Sequence, residues 1–109
     1  MPVRWRLRAA SIVLCTIAGQ AHAQGTDTAA RSLAATCFTC HGTDGRSVGG
    51  VPPSLAGRDR NELVQQMKDF KAGRRPATIM QQHARGYTDA QIEQIAGYFA
   101  AVSPAQSSR

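Results

Sequence analysis

A five-residue segment, Cys37-Phe38-Thr39-Cys40-His41, constrains this chain more than any other feature. Two cysteines separated by two residues and followed directly by a histidine form the pattern that attaches c-type haem. In that arrangement the two thiols bond to the vinyl groups of the porphyrin, and the adjacent imidazole binds the iron. The segment therefore predicts that Cys37 and Cys40 hold one covalent haem c and that His41 is the proximal ligand of its iron.

Two other interpretations of the cysteine pair stay open at this point. Cys-x-x-Cys also serves thiol–disulfide exchange, but a redox dithiol is expected beside strands, and the chain has no β-branched or aromatic run of strand length. A zinc site needs further ligands at suitable spacing, and the remaining Cys and His residues are Cys15, His22 and His83. Haem attachment is the favoured interpretation.

The first 23 residues have the organisation of a secretory leader. Three arginines precede an apolar stretch from residue 9 to residue 19, and Ala21-His22-Ala23 fits a cleavage site. The apolar stretch is too short to span a bilayer, which takes about 20 residues. We therefore expect residues 1–23 to be removed on export to the periplasm, leaving residues 24–109 as one domain with an ordered core near 29–102.

Composition limits the class of domain that remains. Cleavage would lower the formal charge from +6 to +3, so the basic character comes partly from the leader and does not indicate nucleic-acid binding. Cys37 and Cys40 would be the only cysteines left, with none for a structural disulfide. Because a domain of 86 residues with few aromatic side chains has a small core, we expect a buried porphyrin to complete that core and the apoprotein to be largely unfolded.

Helical periodicity and capping residues predict an all-α fold. A first helix is expected from an N-cap at Asp27 or Thr28 to Cys37, followed by a glycine- and proline-rich loop over residues 42–57. A second helix begins at Asp59, with Glu62 at the capping-box position.

The second helix is expected to end at Gly73 and to be followed by an irregular or short-helical stretch. The last helix begins at Thr88 as N-cap, with Gln91 at its capping-box position, and ends before Pro104.

The iron of an electron carrier needs a second axial ligand from the protein. A thioether is a soft ligand that raises the reduction potential, so methionine is expected. Met67 falls on an apolar helical stripe and is interpreted as core packing, which leaves Met80 as the candidate ligand. His83 is the rival ligand, although a surface position or one beside a haem propionate is favoured for it.

Pro53 and Leu55 complete the candidate binding residues. The free N–H of a ligating imidazole usually donates to a backbone carbonyl. Pro53 is well placed to supply that carbonyl to His41, and Leu55 is expected to pack on the imidazole ring; the alternative is an ordinary proline-rich turn.

Four basic residues, Lys68, Lys71, Arg74 and Arg75, cluster near the expected distal segment. They could steer an acidic partner, form a solvated basic face, or neutralise haem propionates.

The combination resembles class I cytochromes c: the Cys37–His41 segment, Pro53-Ser54-Leu55-Ala56-Gly57, a middle helix, Met80 and a capped last helix. More closely, residues 63–71, Arg75-Pro76-Ala77-Thr78-Ile79-Met80 and Gly86-Tyr87-Thr88 are similar to the cytochrome subunits of flavocytochrome c sulfide dehydrogenases. The resemblance implies three to five helices packed around one haem, with Cys37 and Cys40 in thioether bonds, His41 proximal and Met80 distal. Many such subunits carry two haem domains, whereas this chain has one motif.

Three functions are compatible with these features. The favoured ones make the chain an electron-transfer protein rather than an enzyme, although it could be the haem subunit of an oxidoreductase, and no catalytic residue is predicted. The chain could be a haem subunit that takes electrons from a sulfide-oxidising flavoprotein, or a free periplasmic carrier serving another respiratory dehydrogenase or oxidase. With an open distal position it could instead bind gases or act as a peroxidase. Low-spin spectra without carbon monoxide binding would exclude the third.

Overall fold

The computed structural model describes residue 1 and residues 21–104, with side chains for residue 1 and residues 28–104. These residues form five α-helices and no strand: α1 (Ala21–Ala34), α2 (Phe38–His41), α3 (Arg60–Lys71), α4 (Met80–Arg85) and α5 (Asp89–Ala101). Two 3₁₀ turns, Ala35–Cys37 and Thr43–Gly45, flank α2. The predicted all-α class is confirmed, whereas most of the predicted leader and the last five residues lie outside the described part of the chain.

Helix α5 is the centre of the packing. It contacts both α1 and α3, and α3 also contacts α4. Ile92 and Phe99 of α5 are fully buried, and they pack with Leu63 of α3 and with Ala34 of α1. The small Ala34 side chain allows α1 to lie close to α5. None of the helices in the described residues combines the length and hydropathy needed to cross a bilayer.

The predicted capping of the last helix is confirmed. Thr88 Oγ1 accepts a hydrogen bond from the Gln91 amide at 3.1 Å, and Gln91 Oε1 accepts one from the Thr88 amide at 2.9 Å. This reciprocal pair satisfies two amides that a helix start otherwise leaves without partners.

Only one of the two hydrogen bonds expected for the capping box of α3 is formed. Asp59 accepts a hydrogen bond from the Glu62 amide at 2.9 Å, as predicted. The Glu62 carboxylate does not complete the box: it pairs with the Arg58 guanidinium and accepts from Gln66. A charged guanidinium is a stronger hydrogen-bond donor to a carboxylate than a neutral amide, so the ion pair is preferred.

The two remaining helix boundaries differ in how well the sequence indicated them. Gly73 follows α3 with a φ of +74° and donates to the Phe70 carbonyl, which confirms the predicted end. The expected N-cap at Asp27 or Thr28 is wrong, because α1 begins at Ala21 and Thr28 lies inside it, accepting from Ser32 Oγ. Alanine has the highest helix propensity, and no proline interrupts residues 21–34, so the helix extends towards the N-terminus.

Candidate functional site

One cavity of about 300 Å³ brings the sequence-predicted site residues together. On one side it is bounded by the 3₁₀ turn Ala35–Cys37 and by α2, and on the other sides by α3, α4 and α5. The loop before α3 forms another part of its wall. All six candidate residues line it: Cys37, Cys40, His41, Pro53, Leu55 and Met80. Its lining is mostly apolar, as is usual for sites that hold an organic cofactor.

The local backbone explains how the cysteine pair and the histidine reach the same wall. Cys37 ends the 3₁₀ turn, and Cys40 and His41 lie in α2. Residues three and four positions apart share one face of a helix, so all three side chains can point into the cavity. The chain leaves α2 through Gly42, with a φ of +86°, where a Cβ would lie 2.0 Å from the Arg46 carbonyl oxygen. Only glycine permits this exit.

His41 is held in one orientation by the loop that follows. Its side chain is 8 % exposed, and its Nδ1 lies 2.7 Å from the carbonyl oxygen of Pro53. We assign the proton to Nδ1 from this contact, because a carbonyl oxygen can only accept. The Nε2 lone pair of a neutral imidazole is then free to bind a metal.

The loop that carries Pro53 is itself fixed by hydrogen bonds. Ser47 Oγ donates to the Pro52 carbonyl, and the Ser47 amide donates to Ser54 Oγ at 2.9 Å. The Gly45 carbonyl accepts from the amides of Leu55 at 2.8 Å and Ala56 at 3.1 Å. The position of the Pro53 carbonyl therefore does not depend on the His41 contact alone.

The environment of the cysteines bears on the two competing interpretations. Burial is the main cause that raises the pKa of the Cys37 thiol, whereas reactive redox dithiols depend on a lowered pKa. The described residues also contain no group of three or more His, Cys, Asp or Glu side chains arranged to hold a metal ion. The raised thiol pKa argues against a thioredoxin-like dithiol, and the described residues offer no ligand set for a tetrahedral zinc site.

Three side chains on the α3 and α4 walls could supply a second ligand to a metal in the cavity. Met80 is the first residue of α4 and is half-buried, whereas His83, one turn later, also lines the cavity but is exposed. Met67 of α3 lines the cavity as well, and it packs against the core as expected. The segment before Met80 is anchored by the Arg75 amide, which donates to the Asp69 carbonyl, and by Gln81, which donates to the Arg75 carbonyl.

The cavity also contains polar side chains that sequence reasoning did not identify as site residues. Arg58, Gln66 and Tyr87 all line it, and Arg75, interpreted above as part of a basic cluster, lines it too. The Tyr87 hydroxyl hydrogen-bonds with Thr36 Oγ1, next to Cys37. The resemblance of Gly86-Tyr87-Thr88 to known cytochromes is the one sequence signal that points to Tyr87 as a site residue.

The cluster of four basic residues is largely neutralised within the chain. Lys68 pairs with Glu93 at 3.7 Å, Lys71 with Asp89 at 3.0 Å, and Arg74 with Asp69 at 2.7 Å. Hydrogen bonds from Arg74 and Lys71 are the largest causes that lower the pKa values of the Asp69 and Asp89 carboxyls, respectively. Arg75 forms no ion pair with a carboxylate of residues 28–104, although its charge also helps to lower the pKa of Asp69. Its guanidinium lies over the Phe70 ring, 4.9 Å from the centroid.

Comparisons with known proteins indicate the family of the chain. Residues 27–103 match the family model described as cytochrome c. The chain is 41 % identical over 78 residues to the cytochrome subunit of sulfide dehydrogenase from Chlorobaculum tepidum, covering 72 % of this chain and 70 % of that protein.

Two cytochromes c4 are also similar. The chain is 39 % identical over 84 residues to cytochrome c4 of Pseudomonas aeruginosa, covering 77 % of this chain and 42 % of that protein. A solved structure of cytochrome c4 from Acidithiobacillus ferrooxidans superimposes with a TM-score of 0.65 at 31 % identity, covering 77 % of this chain and 53 % of that one. The chain thus spans about half the length of these two relatives.

Proposed function

Because the chain belongs to the cytochrome c family, whose members transfer electrons through covalently bound haem, we propose that Cys37 and Cys40 attach one haem c and that His41 and Met80 are its axial ligands. The single observation that supports this assignment best is the cavity in which all four side chains meet. These four supply two thiols, an imidazole and a thioether to a mostly apolar wall, which is the donor set of a low-spin electron-transfer haem.

The residues of the cavity fit such a group. Cys37 and Cys40 both line the wall, and the His41 ring presents Nε2 because Nδ1 is engaged by Pro53. Leu55 and the buried face of α5 supply apolar surface. When bound, the haem iron supplies a one-electron redox centre.

The protein groups would tune that centre in defined ways. The Pro53 carbonyl holds the imidazole proton on Nδ1 and so increases the basicity of Nε2. The Met80 sulfur is a soft donor that favours ferrous iron and raises the reduction potential. An apolar wall excludes water, which limits solvent reorganisation when the charge of the iron changes.

Export to the periplasm is part of the proposal. The basic residues, the short apolar stretch and the Ala21-His22-Ala23 site support cleavage after residue 23, which would leave residues 24–109 as the mature domain. Cleavage there would shorten α1 but keep Ala34 and its contact with α5.

We further propose that the electron donor is a sulfide-oxidising flavoprotein. The support is the 41 % identity with the cytochrome subunit from Chlorobaculum tepidum, most of whose length the chain covers. The second candidate is a free carrier that serves another respiratory enzyme, and the similarity to two cytochromes c4 supports it.

Purification from the native host separates the two candidates. The tagged holoprotein is isolated from the periplasm at low salt, and flavin and haem absorbance are recorded together. If a flavoprotein co-purifies in stoichiometric amount and the haem is reduced when sulfide is added, the dehydrogenase partner is supported. A haem protein that emerges alone and does not react with sulfide supports the free carrier.

A further inference from the structure

The carboxylate of Glu62 binds two polar side chains of the cavity wall. Its Oε1 accepts hydrogen bonds from the Arg58 guanidinium and from the Gln66 amide, the latter at 2.9 Å. Arg58 and Gln66 both line the cavity, whereas Glu62 does not. Glu62 can therefore influence the cavity without touching what the cavity holds.

The start of α3 fixes this arrangement. The Asp59 side chain caps the helix by accepting from the Glu62 amide at 2.9 Å, so the backbone of Glu62 is held in place. Gln66 follows Glu62 by four residues and lies on the same side of the helix, and Arg58 directly precedes the cap. A hydrogen bond from a charged donor to a carboxylate is about twice as strong as a neutral one. The Arg58–Glu62 pair therefore limits the rotamers of two long side chains.

The charge of the cavity wall depends on this pair. Among the described residues that line the cavity, none is Asp or Glu, and the two arginines are Arg58 and Arg75. Glu62 compensates the charge of Arg58, whose side chain is 31 % exposed, and is itself 46 % exposed, so water screens the pair only in part. A compensated arginine contributes little net field to the cavity, whereas an uncompensated one would add a positive charge at its edge.

We propose that Glu62 is a positioning residue that lowers the reduction potential of the haem by holding Arg58 in place and compensating its charge. The inference rests on the proposed electron-transfer function. Reduction adds one electron to the iron, so a positive charge at the wall favours the ferrous state and a negative charge favours the ferric state. Loss of the Glu62 carboxylate should therefore raise the potential, and loss of the Arg58 guanidinium should lower it.

Equilibrium titration of the holoprotein against a redox dye of known potential tests these signs. We expect Glu62→Gln to shift the equilibrium about threefold towards the ferrous protein at low salt. Arg58→Gln should shift it about threefold towards the ferric protein. The double variant removes both charges and should return close to the wild type. A merely structural contact would give shifts of the same sign, because both single variants would break the same contact.

A second group of ion pairs provides matched controls. Glu93 pairs with Arg60 at 2.8 Å and with Lys68 at 3.7 Å, and its side chain is 38 % exposed, close to the value for Glu62. None of Glu93, Arg60 and Lys68 lines the cavity. Glu93→Gln and Arg60→Gln make the same changes of charge, and we expect each to shift the equilibrium by less than about 1.5-fold. Shifts as large as those of the Arg58–Glu62 pair would overturn the proposal.

The same titrations distinguish the possible failures. If the wild type cannot be reversibly oxidised and reduced, the electron-transfer function itself fails. If the wild type cycles normally but Arg58→Gln and Glu62→Gln shift the equilibrium in the same direction, only the role of Glu62 fails. We expect the haem absorbance bands to be the same in all variants, because no proposed iron ligand is changed. If Glu62→Gln does not fold, Arg58→Gln tests the opposite sign against Arg60→Gln.

Discussion

The hydroxyl of Tyr98 donates a hydrogen bond to the carboxylate of Asp44, although the two residues are 54 positions apart. Asp44 has a φ of +54° and lies three residues after His41, and it also pairs with Arg31 of α1 and with Arg46. The contact therefore joins α1 and α5 to the turn that follows the proposed haem ligand. It holds the attachment segment against the rest of the domain.

The Tyr98–Asp44 contact should make stability depend on pH. The hydrogen bond from Tyr98 is the largest cause that lowers the pKa of the Asp44 carboxyl below that of the unfolded chain. A lowered folded-state pKa contributes stability above the unfolded value, and that contribution is lost as pH falls through the folded value. Tyr98→Phe should lower the melting temperature near pH 7, with a difference from wild type that shrinks below about pH 4.

The matched control for this prediction is Tyr87→Phe. Tyr87 bonds to the neutral Thr36 hydroxyl, so its removal should lower the melting temperature by an amount that does not change with acid pH. Thermal unfolding of the three holoproteins between about pH 3 and pH 7 makes the comparison. Parallel curves for Tyr98→Phe and wild type would contradict the prediction.

A side chain should lower the free energy of unfolding more at Gly45 than at Gly49. Both have positive φ values, +77° and +82°, so alanine at either position costs about 1 kcal/mol in backbone strain. At Gly45 a Cβ would also lie 2.7 Å from the fully buried Phe99 ring, whereas at Gly49 nothing lies within 4 Å. We expect Gly45→Ala to lose about 2–4 kcal/mol in total and Gly49→Ala about 1 kcal/mol in chemical denaturation.

Features that depend on residues close in sequence could be predicted, and those that depend on distant ones could not. The Thr88 cap and the Gly73 helix end follow from local hydrogen bonding and backbone sterics. The cysteine pair and His41 share a wall because helical spacing places them there. The ion pairs Lys68–Glu93 and Lys71–Asp89 join α3 to α5, and nothing in a local pattern indicates which cations such packing will neutralise.

The composition of the cavity wall also depends on contacts between residues that are distant in sequence. Arg58 and Tyr87 reach it only because separate segments fold around one space, so neither was identified as a site residue from its neighbours in sequence. The early start of α1 is a different kind of error. Two polar residues able to cap a helix, Asp27 and Thr28, were given more weight than the helix-forming alanines on both sides of them.

Removal of the haem should unfold most of the domain. The cavity of about 300 Å³ is bordered by core residues that include Leu63, Ile95 and Phe99. At about 24 cal/mol per Å³, leaving it empty would cost roughly 7 kcal/mol, which is comparable to the whole stability of a small domain. Cys37→Ala with Cys40→Ala, expressed without haem attachment, should lose most of its far-UV helix signal. A native helix signal in that protein would contradict the prediction.

The two methionines of the cavity give the sharpest test of the iron site. Met80 begins α4, whereas Met67 packs on the core from α3. If Met80 is the distal ligand, Met80→Ala should abolish the far-red sulfur–iron charge-transfer band of the ferric protein and lower the reduction potential. Met67→Leu, a swap of similar volume, should keep the band and cost less than about 1.5 kcal/mol of stability.

We expect His83 to replace Met80 as the axial ligand in the Met80→Ala variant. Its imidazole lines the same cavity one helical turn after Met80, so we expect it to bind the vacated position. Met80→Ala should then remain low-spin with two imidazole ligands, and the double variant Met80→Ala with His83→Ala should become high-spin and bind carbon monoxide. Carbon monoxide binding by the single variant would show that His83 does not reach the iron. A far-red band retained in Met80→Ala but lost in Met67→Leu would transfer the ligand role to Met67.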